Sequence, residues 1–358
     1  MKLFKCSHCG QLVYFENTYC ERCAYPLGFD CDSLDMITVV ETSLNSYTVI
    51  GSETQTSFRY CDNYQYGVCN WLVPSDSSRK FCKACELNRT IPNLSKQTYA
   101  HRWKIIEQAK HRLIYALLCM QLPPKSKFED PEKGLWFDFL ADEEKPQNEK
   151  IFTGHNRGLI TINIAEADDI EREMAKRALD EPYRTVLGHL RHEIGHYYWD
   201  RLILEKSKLE EFRKLFGDER LNYQQALQDY YGRLHFHRES NSFISNYATA
   251  HPWEDWAETW AHYMHILDTE ETAFAFGLIL HPSLATDSST LDVEIKRNPY
   301  SVQHFEHIID AWLPLTFAMN SLNRSMGLQD PYPFIISVNV ISKLKFIHEV
   351  RMQAMQAN

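Results

Sequence analysis

Hydrophobic and polar residues alternate with two different periods along this chain, and each period predicts a kind of element. A period of two over residues 36–41 and 47–50 predicts two short strands. Residues 135–140 predict another strand. Over residues 158–165 three isoleucines alternate with their neighbours, which is typical of a strand with one buried face. Strands are therefore expected mainly in the first half of the chain.

Helical spacing covers most of the remainder. Ser95 is a candidate N-cap for a long helix that ends near residue 121, just before two consecutive prolines. One face of this helix carries the apolar residues Trp103, Ile106, Leu113, Leu117 and Met120. The same spacing predicts helices over residues 183–202, 220–232, 301–326 and 333–353. Together with the strands, this pattern indicates an α+β protein.

Length and composition indicate a globular chain with a large domain and a smaller region. The chain has 358 residues, of which 44% are hydrophobic and 13% aromatic, too many for a disordered protein. Periodicity breaks near residues 87–95, so we predict a boundary between regions 1–94 and 95–358. No apolar run of about 18 residues occurs, so no membrane helix is expected.

Eight of the ten cysteines fall into two groups of four, which adds metal chemistry to the first region. Two residues between thiolates in a tight turn let both reach one tetrahedral ion, and two such turns complete a closed zinc site. The first group is Cys6, Cys9, Cys20 and Cys23. The second is Cys61, Cys69, Cys82 and Cys85, whose first pair is more widely spaced. We predict two structural zinc ions.

A disulfide framework is the alternative explanation for the cysteines. Residues 1–30 contain no apolar stretch of the length that a secretory signal requires, so we expect a cytoplasmic protein with reduced thiols. Cys31 and Cys119 are left over, and Cys119 lies in an apolar helix as a small hydrophobic residue.

The net charge is −10, and acids and bases are balanced in the first region, so no nucleic-acid partner is expected. The cysteine sites either brace the fold or bind a protein partner.

A second metal motif, His192-Glu-Ile-Gly-His196, lies on the predicted helix 183–202, whose first turn holds Pro182. Residues four apart share a helix face, so both histidines can bind one ion. Glu193 lies on the adjoining face, where it can hydrogen-bond a metal-bound water and act as a general base. Two histidines leave the ion under-coordinated, so a third protein ligand is required.

An acidic segment downstream can supply that ligand. Pro252 opens another predicted helix, and Glu254 and Glu258 share one of its faces. One of the two carboxylates can bind zinc, while the other accepts the spare N–H of a ligating histidine. The spacing alone leaves open which does which, and an ordinary amphipathic helix with solvated acids is the simpler alternative.

The two segments, His192–His196 and Glu254–Glu258, resemble the first and second zinc-binding boxes of the gluzincin metallopeptidases, the thermolysin-like class. Glu254-Asp-Trp-Ala-Glu258 is similar to the second box of the lethal-factor branch. The resemblance implies that Glu254 is the third ligand, that Glu258 supports a histidine, and that Tyr247, seven residues before the ligand, is the oxyanion donor. It also implies that strand 158–165 borders the cleft as an edge strand. From the sequence alone, an internal strand is the alternative.

The segment from His189 to Asp200, followed by His251-Pro-Trp-Glu254, resembles more closely a family of bacterial zinc-binding metallopeptidases that carry an amino-terminal zinc ribbon. The resemblance covers most of the chain. It implies a zinc-ribbon region followed by a mainly helical gluzincin domain with a small edge sheet. It also implies one catalytic zinc ion in addition to the two structural ones.

Other residues near the boxes are rival ligands. The metzincin class is excluded because Leu202 occupies the place of its third histidine and Trp199 that of its glycine. Asp200 and His189 lie one turn beyond the motif and are expected to support the site rather than bind metal. The histidines His235, His237, His262 and His265 could line the cleft, support the site or have no role in it.

Three functional hypotheses follow. The first is a zinc peptidase that cleaves a peptide or protein substrate with Glu193 as base. The second is a protein-binding adaptor whose peptidase fold is catalytically silent. The third is a zinc amidase that acts on a non-protein amide.

Overall fold

The computed structural model describes residues 2–51, 56–142, 151–168, 185–204, 208–232, 241–282 and 291–357. The described residues up to 168 form one compact unit, and those from 185 onward form a second. Pro182, at the predicted start of the motif helix, and the histidines His235 and His237 lie outside the described residues.

The first unit begins with small antiparallel sheets around the cysteines. Strands β1 (Phe4–Lys5) and β2 (Leu12–Val13) form a hairpin. A five-stranded antiparallel sheet follows in the order β3-β4-β5-β6-β7. Its strands are β3 (Leu27–Asp30), β4 (Asp35–Ser43), β5 (Ser46–Val49), β6 (Ser57–Tyr60) and β7 (Leu72–Pro74). The strands predicted over 36–41 and 47–50 are confirmed as β4 and β5.

Helix α1 (Gln97–Cys119) follows, with the predicted apolar face buried. Its N-cap residue is Lys96. Ser95 is therefore not the cap, because its backbone N–H and its hydroxyl donate to the side chain of Asn93 instead. The rings of Trp71 and His111 lie 5.2 Å apart, so α1 packs against the cysteine-bearing part of its own unit.

A four-stranded mixed sheet completes the first unit. Its order is β10-β11-β9-β8, with β8 (Asn88–Thr90), β9 (Trp136–Leu140), β10 (Gly154–Asn156) and β11 (Leu159–Asn163). Strand β11 pairs in parallel with β9 on one side and antiparallel with β10 on the other. The edge-strand expectation for residues 158–165 is therefore wrong. Alternation reports which face of a strand is buried, and it contains no information about hydrogen-bonded neighbours.

The second unit is mainly helical. Its helices are α2 (Val186–Trp199), α3 (Leu209–Phe216), α4 (Tyr223–Gly232), α5 (Pro252–Ala275), α6 (Phe305–Ser325) and α7 (Val338–Ala357). A π-helical turn, Asp200–Leu204, continues α2, and a small hairpin of β12 (Ile279–Leu280) and β13 (Val293–Glu294) precedes α6. Thr185 caps α2 by accepting the N–H of Gly188, and Pro252 occupies the first turn of α5 as predicted.

The core of this unit is the packing of α2 along α5. A Cβ atom on Gly195 would lie 3.1 Å from the Cα of Ala257, so glycine is what permits this approach. The indole of Trp256 donates to the Gly195 carbonyl at 2.9 Å. On another side of α5, Lys343 of α7 forms a buried ion pair with Asp255 at 2.6 Å.

The described residues therefore have an α+β architecture, with small sheets near the amino terminus and a mixed, mainly helical part after them. Among these residues, every helix is too short or too polar to cross a bilayer.

Candidate active site

Three side chains from α2 and α5 converge on one point. The Nε2 atoms of His192 and His196 lie 3.2 Å apart. The Oε2 atom of Glu254 lies 2.9 Å from the first nitrogen and 3.5 Å from the second. The helix repeat stacks the two histidines on one face of α2, and the first turn of α5 brings the carboxylate to them. These atoms form a triangle of potential metal donors.

The triangle has the dimensions and the chemistry of a zinc site. Zinc bonds to imidazole nitrogen and carboxylate oxygen are about 2.0–2.1 Å long, so the edges of a tetrahedron of such ligands are about 3.3 Å. The three measured edges, 2.9, 3.2 and 3.5 Å, bracket this value. Two imidazoles and one carboxylate are also the donor set of open, catalytic zinc sites. The residues therefore fit the ion.

The electrostatics of the triangle also favour a cation. Burial lowers the pKa of His192, but the carboxylates of Glu254 and Glu258 outweigh burial and raise this pKa well above its ordinary value. Burial raises the pKa of Glu254, but His196 and His192 outweigh it and hold this pKa well below its ordinary range. Positive charge is thus stabilised between the Nε2 atoms of the two histidines and Oε2 of Glu254, which is where the metal would bind.

Glu258 orients the first histidine from behind. Its Oε1 accepts the Nδ1–H of His192 at 2.7 Å, and its Oε2 accepts the hydroxyl of Ser245 at 2.6 Å. The Nδ1–H tautomer leaves the Nε2 lone pair of His192 directed at the donor triangle. Between the two alternatives that the spacing left open, the geometry puts Glu254 in the triangle and Glu258 behind the histidine.

Glu193 lies beside the triangle without joining it. Its carboxylate is buried, and Oε2 has no hydrogen-bond partner among the described residues. Burial raises the pKa of Glu193, although the charges of His192 and His196 act in the opposite direction. A buried carboxylate oxygen without a partner is costly unless a ligand or water satisfies it.

Two tyrosines border the triangle, and the sequence pointed to only one of them. The ring of Tyr247 lies 5.8 Å from that of His192. Tyr223, at the first turn of α4, donates its hydroxyl to Oε1 of Glu254. Burial and then the charge of Glu254 raise the pKa of both phenols, so both are protonated donors. Tyr223 was missed because a hydroxyl 31 residues before its partner leaves no spacing pattern.

The remaining predicted supporting residues lie around this centre. His189 lies near enough to Glu193 that it opposes, in small part, the rise in the Glu193 pKa that burial causes. The backbone N–H of Asp200 donates to the carbonyl of His196 at the end of α2. His262 contacts the hydroxyl of Tyr332 at 2.9 Å through Nδ1 and is not one of the three donors of the triangle. Ser245, which holds Glu258, was not predicted, because a single serine has no distinguishing pattern.

In the first unit the cysteines assemble as the two predicted quartets, Cys6, Cys9, Cys20 and Cys23, and Cys61, Cys69, Cys82 and Cys85. The ten cysteines, all of which lie in the described residues, are thiols and form no disulfide with one another. Two sulfur pairs in the first quartet are each 3.6 Å apart, and the sulfurs of Cys69 and Cys82 in the second are 3.8 Å apart. Zinc–sulfur bonds of about 2.3 Å give tetrahedral edges of about 3.8 Å, so both quartets fit a closed zinc site.

A buried histidine lies behind the second quartet. Nε2 of His111 is 3.6 Å from the sulfur of Cys85, and its Nδ1–H donates to the carbonyl of Glu107 at 2.6 Å. This neighbour was missed because it lies on α1, beyond the predicted region boundary. An imidazole in this position orients the thiolate that it touches.

Comparisons with known proteins agree with these two kinds of site. Residues 3–96 match a zinc-ribbon domain family, and residues 99–350 match a family described as "Putative zinc-binding metallo-peptidase". Uncharacterized proteins from Mycobacterium bovis and two strains of Mycobacterium tuberculosis are each 40% identical over 351 residues. The alignment covers 98% of this chain and 95% of each relative. No solved structure matches the chain. The family resemblance is confirmed, and the chain belongs to this zinc-binding metallo-peptidase family, with an amino-terminal zinc ribbon.

Proposed function

We propose that this protein is a zinc-dependent peptidase that hydrolyses peptide bonds with Glu193 as general base. One observation carries the proposal. A carboxylate oxygen of Glu193, which has no hydrogen-bond partner in the described part of the chain, is buried beside a donor triangle of His192, His196 and Glu254 that has the dimensions of a zinc site. A structural zinc site would be closed by a fourth protein ligand. The group of metal donors found here among the described residues has three members.

The chain's own residues divide the chemistry among them. A bound zinc ion would act as a Lewis acid and lower the pKa of a coordinated water towards about 7. Glu193 takes a proton from the attacking water and delivers it to the leaving amine as the carbon–nitrogen bond breaks. The phenol of Tyr247 donates a hydrogen bond to the oxyanion that develops on the substrate carbonyl. Glu258 holds His192 in its ligating tautomer.

We further infer a gluzincin type of catalytic core, in which α2 carries the first box and α5 the second. The family membership and the packing of these two helices support this inference. We propose three zinc ions per chain, one catalytic and one in each cysteine quartet. The ribbon region 1–94 then has a structural or partner-binding role, and region 95–358 contains the peptidase.

The decisive experiment compares the wild type with Glu193→Gln. Glutamine has the same shape but cannot accept the proton, so the variant should keep its zinc and lose hydrolysis of a peptide library by about 100-fold or more. Zinc content is measured on the same samples by elemental analysis. His192→Ala should lose both the catalytic zinc and the activity.

Full peptide hydrolysis by Glu193→Gln would refute the assigned base. If the wild type itself cleaves no peptide in the library, the proposed function is wrong. A small-molecule amide panel, assayed in parallel, would then identify an amidase. Equal function of wild type and Glu193→Gln in cells would identify a silent adaptor.

A further inference from the structure

Tyr223 reaches the donor triangle from α4, outside the two helices that carry it. Its hydroxyl donates to Oε1 of Glu254, whereas Oε2 of the same carboxylate lies 2.9 Å from Nε2 of His192. The two oxygens of Glu254 therefore have different partners. One oxygen is held by a phenol, and the other faces the position that a metal ion would take.

We propose that Tyr223 is a positioning residue that keeps Glu254 a monodentate ligand and so keeps a coordination position open. This inference rests on the proposed peptidase function. A carboxylate can bind a metal through one oxygen or through both. Because the phenol of Tyr223 already donates a hydrogen bond to Oε1, this oxygen is less available to bind the metal than Oε2. A one-oxygen Glu254 and two histidines are three ligands, which leaves the fourth position of a tetrahedral zinc for water.

The ring of Tyr223 is held beside Glu254 by two neighbouring aromatic rings. The ring of Tyr223 lies 5.2 Å from the ring of His251 and 5.7 Å from that of Trp253, edge to face in both pairs. His251 is itself held, because its ring contacts the carbonyl of Leu221 at 3.1 Å and accepts the N–H of Trp253. His251, the N-cap of α5, and Trp253, the residue before Glu254, thus form the pocket for the ring of Tyr223.

The directions in which metal affinity and turnover change when Tyr223 loses its hydroxyl separate this role from a purely structural one. Without the phenol, Oε1 of Glu254 is free to bind the metal as a second oxygen. Metal affinity should then stay the same or rise, while the position for water is lost and turnover falls by about tenfold or more, as for other outer partners of a metal ligand. A residue that only supports the fold would lower affinity and turnover together.

The experiment compares Tyr223→Phe with the wild type, since phenylalanine keeps the ring packing and removes the hydroxyl. Tyr14→Phe is the control, because that ring is exposed and belongs to the first unit. A chelator first removes the catalytic zinc and leaves the cysteine quartets loaded. Cobalt(II) then fills the empty site, and its visible absorption, which depends on the ligand set and its geometry, reports a change of ligands independently of activity.

We expect a changed cobalt spectrum and undiminished zinc affinity in Tyr223→Phe, with both properties unchanged in Tyr14→Phe. An unchanged cobalt spectrum together with reduced turnover would overturn the proposal and make Tyr223 a direct substrate contact. A parallel fall in zinc affinity and thermal stability would also overturn it. These readouts hold even if no peptide is cleaved, so failure of the peptidase function and failure of this inference are distinguishable.

Discussion

Replacing Glu258 is expected to weaken zinc binding at the proposed site, although Glu258 supplies none of its three donor atoms. Its Oε1 accepts the Nδ1–H of His192 at 2.7 Å, and its Oε2 accepts the hydroxyl of Ser245 at 2.6 Å. A ligating imidazole is more basic, and less free to rotate, when a carboxylate holds its other nitrogen. Weakening this support in steps should therefore weaken zinc binding in steps.

The size of each step follows from the hydrogen bonds. A hydrogen bond to a charged group contributes about 1.5–3 kcal/mol, and one between neutral groups about 0.5–1.5 kcal/mol. Glu258→Gln replaces the first kind by the second, so it should cost about 1 kcal/mol, or about fivefold in zinc affinity. Glu258→Ala removes the bond and should cost about 2 kcal/mol, or about 30-fold, within the range for outer partners of metal ligands. Ser245→Ala should lie near the glutamine variant.

The assay is a competition titration of the catalytic zinc against a chelator, with the cysteine quartets kept loaded. Glu306→Gln is the control, because Glu306 is an exposed carboxylate in an ion pair with Lys345 and contacts none of the donors. Zinc affinity of Glu258→Ala within about twofold of the wild type would refute the reasoning, since it would mean that the carboxylate does not act on His192.

The remaining predictions concern a cysteine quartet, a buried histidine and a buried ion pair. Cys82→Ser should lower zinc content by about one atom per chain while Cys31→Ser keeps it, as measured by elemental analysis. Burial lowers the pKa of His348 to about 4, below the unfolded value of about 6.5, so stability should fall by up to about 1.4 kcal/mol per pH unit between these values as pH falls. Urea titrations of His348→Gln should lack this component. Lys343→Met leaves Asp255 buried without its cation and should lower the free energy of unfolding by about 3–5 kcal/mol, so an unchanged urea midpoint would contradict it.

The parts of this molecule that sequence reasoning predicted are those with a periodic signature. The four-residue spacing of His192 and His196 follows from the helix repeat, and Pro252 identified the first turn of α5. The two-residue spacing of the cysteine knuckles similarly predicted which thiols would meet. Each of these patterns is short in sequence, so the local backbone geometry is sufficient to bring its members together.

The parts that were missed or wrong depend on partners from elsewhere in the fold. Tyr223 and Ser245 reach the two glutamates from α4 and from the loop before α5, and hydroxyl groups have no spacing rule that would identify them. Strand β11 was expected at an edge, but its second neighbour, β10, is a three-residue strand with no alternation of its own. Short partners of this kind are recognisable only after the chain has folded.

Gly195 links the motif to the packing that sets its dimensions. Within a helix, glycine costs about 1 kcal/mol relative to alanine, so on local grounds it is a poor choice. Its benefit is tertiary, because a Cβ there would lie 3.1 Å from the Cα of Ala257 and 3.2 Å from the side chain of Trp260. A larger residue would push α5 away by a few tenths of an ångström, which exceeds the tolerance of about 0.2 Å for a zinc bond. In the proposed site, the two motifs therefore specify the donor types, while the glycine between the histidines allows α5 to come close enough for Glu254 to join them.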